Sequence, residues 1–80
     1  MGEINMVNNR FLQVGDVVCS IDDFAGAKFV KKTYEDDNMI TYCIFVKLKS
    51  YNNWVCAMEF KTYITARKKY NELIHELSKY

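Results

Sequence analysis

Residues 39–60, MITYCIFVKLKSYNNWVCAMEF, restrict the fold more than any other part of the chain. Two runs rich in β-branched and aromatic residues flank the turn-forming stretch Ser50-Tyr51-Asn52-Asn53, and together they read as a β-hairpin. Side chains alternate across a strand, and here both faces come out apolar. Ile40, Tyr42, Ile44, Val46 and Leu48 fall on one face, and Met39, Cys43, Phe45, Trp54 and Met58 on the other. A hairpin usually needs one cover. This one asks for two, in an 80-residue chain with a single strongly helical segment.

That segment is C-terminal. Thr62 or Thr65 can cap it. Ala66, Tyr70, Leu73, Ile74 and Leu77 recur at the helical period as one apolar stripe, with Arg67, Lys68, Glu72, His75 and Glu76 off it. Upstream, residues 17–21 and 27–34 read as strands, and residues 10–14 as an optional extra one. Glu35-Asp36-Asp37-Asn38 reads as the turn of a second hairpin. Residues 1–9 are polar and are expected to be a flexible N-terminus, leaving 10–80 as a single α+β domain. The expected fold is a four- to five-stranded antiparallel β-meander, open or rolled toward a small barrel, with one C-terminal α-helix packed on one face. The stretch Val14-Gly15-Asp16-Val17-Val18 resembles the opening of SH3-like barrels, in which a Gly-Asp turn leads into the first long strand. The resemblance covers those residues alone and implies no function.

The turns assign side chains to faces. Pairing Tyr34 with Met39 sets Lys32 beside Thr41 and Phe29 beside Ile44; pairing Lys49 with Trp54 sets Val46 beside Ala57 and Phe45 beside Met58. The face around Ile44, Val46 and the small Ala57 suits the helix stripe. The opposite face mixes lysines with Tyr34, Phe45, Trp54, Met58 and Phe60. Residues 10–21 could roll over it. A partner protein could bury Tyr34, Phe45, Trp54, Met58 and Phe60 as anchors, with Asp36 and Asp37 of the acidic turn setting orientation. A single strand of nucleic acid could stack on the aromatics, with Lys28, Lys32, Lys47, Lys49, Arg67 and Lys68 on its phosphates. A second copy of the chain could also seal the face as a homodimer.

Chemistry in the usual sense is hard to find. His75 is the only histidine and has no nucleophile or acid near it in sequence. Cys19, Cys43 and Cys56 lie inside strands without the paired spacing of zinc sites, and are expected to be small buried hydrophobes. Neither acidic run follows a calcium-loop pattern. No enzyme, metal or cofactor is expected. A net charge of +1 excludes global attraction to nucleic acid or anionic membranes. No apolar run is long enough to span a membrane. The odd cysteine count and the lack of a signal-like start point to the cytoplasm. The Tyr-, Asn-, Lys- and Ile-rich composition, small size and lack of catalytic motifs resemble phage or mobile-element proteins, including anti-CRISPR-like inhibitors. That resemblance implies steric inhibition of a host or defence macromolecule, a larger protein or ribonucleoprotein, in the host cell.

Overall fold

The structure is a computed structural model that describes residues 4–6, 11–36 and 38–78. It contains two antiparallel sheets and one helix. The first sheet holds β1 (Ile4–Met6), β2 (Phe11–Val14) and β3 (Val17–Ser20) in sequence order. After a short 3-10 turn, Ile21–Asp23, the second holds β4 (Phe24–Tyr34), β5 (Met39–Leu48) and β6 (Val55–Phe60), again in order. Helix α1 (Tyr63–Leu77) follows. The single expected meander is thus split in two, and no closed barrel joins the halves among the described residues. Strand β1 falls within the segment expected to fray; the rest of that segment lies outside the described residues, as does Asp37.

Strand β4 pairs with β5 in the register the acidic turn implies, with Tyr34 opposite Met39, Lys32 opposite Thr41 and Phe29 opposite Ile44. Asn38 closes that turn at φ 52, a left-handed conformation asparagine tolerates better than most residues. The β5–β6 pairing departs from expectation. Val46 faces Val55 and Phe45 faces Cys56, but Ile44 faces Met58 and Tyr42 faces Phe60. One extra residue, Ala57, is accommodated by a β-bulge. Every side chain after it changes face, because the side-chain period of a strand is two.

The bulge has a tertiary cause. The β2–β3 hairpin turns at Gly15, whose φ of 56 suits a tight two-residue turn. Its backbone lies against β6 so closely that a Cβ on Gly15 would stand 2.3 Å from the Ala57 carbonyl oxygen. The Asp16 amide donates to that same oxygen at 3.3 Å. Ala57 therefore turns its carbonyl to the neighbouring hairpin, and β6 gives up regular pairing at that point.

The core forms between the sheets and the helix. Leu12, Val14 and Cys19 of the first sheet pack with Ile44, Val46, Ala57 and Met58 of the second and Leu73 of α1. Each large apolar side chain buried this way contributes about 1.5–3 kcal/mol. Residues 11–20 thus cover the same face of the β4–β6 sheet as the helix, not the opposite one. The helix stripe is mostly as expected: Ala66 and Leu73 are buried, and Tyr70 and Leu77 pack at the margin. Ile74, however, is 45% exposed, and Ile40 lies exposed on the outer part of the β4–β5 hairpin. Thr62 is the N-cap residue without a side-chain cap; its hydroxyl donates to Thr65 Oγ1 at 2.8 Å.

Candidate functional site

Among the described residues, no element of secondary structure is layered over one face of the β4–β6 sheet. Across β4 it carries Lys28, Val30, Lys32 and Tyr34, and across β5 Met39, Thr41, Cys43, Phe45 and Lys47. Strand β6 adds Cys56 and, because of the bulge, Glu59. Thr41 and Cys43 lie at the floor, Cys43 only 1% exposed, beneath the longer side chains of the flanking strands.

The face has two halves. At one end Trp54, 40% exposed, leans across β5 toward β4. A Cβ on Gly26 would come within 3.9 Å of its ring, an ordinary contact. The Lys28 ammonium stands 4.4 Å from the Trp54 ring centre and 5.7 Å from that of Phe45. Such contacts are worth about 0.5–1 kcal/mol when exposed. They brace the indole in one orientation.

At the other end Glu59 collects hydrogen bonds on one carboxylate oxygen. Thr41 Oγ1 donates at 2.9 Å, Tyr34 OH at 3.2 Å and Cys43 Sγ at 3.7 Å. The Thr41 bond chiefly holds the Glu59 carboxyl below its ordinary range; desolvation opposes it, and Tyr34 and Cys43 reinforce it. Lys32 lies 5.3 Å from the Tyr34 ring centre, and its hydrogen bond with Tyr34 holds the ammonium above the usual lysine range. Desolvation pushes the Cys56 thiol up, and the neighbouring Cys43 adds to it. A raised pKa disfavours thiolate, so the Cys56 sulfur is poorly suited to nucleophilic attack.

Of the expected anchors, Tyr34, Phe45 and Trp54 do share this face. Met58 does not: the bulge turns it into the core, where it is 2% exposed. Phe60 goes with it, opposite Tyr42 and packed against the core. Asp36 is exposed at the tip of the β4–β5 hairpin. Sequence reasoning missed Glu59, because its place on the face depends on the bulge.

The expected nucleic-acid set is divided. Lys28 and Lys32 are on the face, but the Lys47 ammonium is held by the carbonyls of Leu48 and Tyr51. Lys49 is at the β5–β6 turn, where its amide donates to the Asp23 carbonyl at 2.7 Å. Arg67 is on the helix, stacked 5.6 Å from the ring centres of Phe29 and Tyr70, and Lys68 is exposed on the same helix. Cys19 is in the core, so the three cysteines do not converge.

No helix among the described residues is long and apolar enough to cross a membrane. Comparison with known proteins finds no matching family model, no matching curated protein and no matching solved structure.

Proposed function

We propose that this protein is a small non-enzymatic binding protein that seats the open face of β4–β6 on a larger protein or ribonucleoprotein. The observation that carries the reading is Trp54, the single tryptophan, exposed on a face that no other element covers among the described residues, with the Lys28 ammonium over its ring. An exposed, pre-oriented aromatic loses little side-chain freedom on binding and is the residue type most often found at interface hot spots. Phe45 and Tyr34 extend the anchor row, and Asp36 at the hairpin tip sets orientation. In line with the compositional resemblance to phage-borne inhibitors, occupation of the partner's surface is itself the effect, exerted in the cytoplasm of the host cell.

The same features support a protein partner better than a single strand of nucleic acid. Lys28 and Lys32 lie over the ring faces that bases would need, and Lys47 is engaged by carbonyls. The test is capture from host lysate with the tagged protein, compared with a Trp54→Ala, Phe45→Ala variant of unchanged fold. A macromolecule held by the wild type and released by the variant supports the reading. Equal retention by both contradicts it.

A further inference from the structure

The β4–β6 sheet has two edges, and they are treated differently. The β6 edge is short and bulged, and its Ala57 carbonyl is taken by the Asp16 amide of the β2–β3 turn. The β4 edge is not covered by another strand among the described residues. From Ala27 to Tyr34 its ladder with β5 is regular, with no bulge. The irregularity in β4 is confined to Phe24–Gly26, at the other end of the strand. In an antiparallel pair alternate residues direct their amide and carbonyl groups toward the neighbour, and the remainder point outward. The outward set of β4 faces no other strand among the described residues.

This edge is also singly charged in sign. Strand β4 carries Lys28, Lys31 and Lys32 and no acidic residue. Lysines are a common protection against edge-to-edge aggregation, and here they also decide what can pair. A second copy meets like charges in most symmetric registers, the exception being the one centred on Phe29, which sets Lys28 opposite Val30 and Lys31 opposite Ala27. Symmetric pairing centred on Val30 sets Lys28 against Lys32, and pairing centred on Lys31 sets that lysine against itself. Like charges directly opposed are destabilising. An extended segment bearing carboxylates has the reverse relation to the edge.

We propose that β4 is a docking edge for an extended acidic peptide segment of the partner, which joins the sheet as an added strand. Main-chain hydrogen bonds to the outward groups of 27–34 supply affinity. Carboxylates meeting Lys28 and Lys32, about 13 Å apart along the strand, select acidic sequences and fix register. The inference builds on the open-face reading and extends the contact from the face to its border.

The test uses the whole isotopically labelled protein and a short acetylated peptide of alternating Glu and Val. Controls are a Lys/Val peptide and a Glu/Pro peptide, the latter unable to form a ladder. The Glu/Val peptide is expected to slow hydrogen exchange at alternate amides of residues 27–34. Substituting Lys28→Glu and Lys32→Glu together should weaken it about tenfold and transfer preference to the Lys/Val peptide. The proposal is overturned if the Glu/Pro peptide binds as well as Glu/Val, if no peptide binds, or if β4 amides stay unprotected. It is also overturned if sedimentation finds a dimer with β4 protected in the absence of peptide. The two readings fail separately. Protection of β4 with Trp54→Ala still retaining the lysate partner removes the open-face anchor alone; loss of that partner without β4 protection removes the edge alone.

Discussion

The two faces of the β4–β6 sheet are built from similar residue types yet end in different states. On one, Ile44, Val46, Ala57 and Met58 are sealed by Leu12, Val14 and Leu73. On the other, Phe45 and Trp54 are braced by Lys28, and Thr41 and Cys43 are screened by neighbouring side chains. Apolar content alone therefore does not decide which face is covered. The choice turns on Gly15 and Ala57, two small residues that let the β2–β3 hairpin come up to β6 from the helix side. Once the hairpin is there, the bulge sends Met58 and Phe60 inward and Glu59 outward, which makes the covered face more apolar and the open one more polar.

The largest effect should come from breaking this docking point. Gly15→Val adds a Cβ into the Ala57 carbonyl at a positive φ, and should cost about 2–4 kcal/mol in denaturant unfolding. If stability is unchanged, the hairpin does not sit where described. The next contrast compares the faces directly. Met58→Ala should cost about 2–5 kcal/mol as a core cavity, whereas Trp54→Ala should cost no more than about 1 kcal/mol. Equal costs would mean that Trp54 is structural. Lys28→Ala should lower stability by about 0.5–1 kcal/mol or less, while shifting Trp54 emission as the ammonium leaves the ring.

Smallest is the pH effect of Glu59. Its carboxyl is held below the ordinary range in the folded state. The stabilisation is therefore fully present above the unfolded value of about 4.5 and is lost as pH falls through the lower folded value. Glu59→Gln should flatten the acid limb of the stability curve slightly and leave the neutral limb parallel. An unchanged acid limb would place Glu59 outside the Thr41–Tyr34 network.

Much of this comparison was readable from residues in sequence. The acidic turn set the β4–β5 register, and the helix stripe marked Ala66 and Leu73 as core. The bulge was not readable, because nothing within Val55–Phe60 demands it. It follows from an acceptor bond to Asp16, far away in the chain. Assigning Met58 and Phe60 as anchors failed for that one reason, and Glu59 was missed for the same one. Which face residues 11–20 would cover was likewise a tertiary choice, since their own alternation fits either.

The central claim is that the face bearing Trp54 is open in the protomer. With only one tryptophan in the chain, acrylamide and iodide quenching of the monomer reports on that face alone. The account predicts ready quenching by acrylamide, with iodide aided by the nearby Lys28 charge. Emission that neither quencher reaches would mean the chain covers this face itself, and would remove its claim to bind a partner.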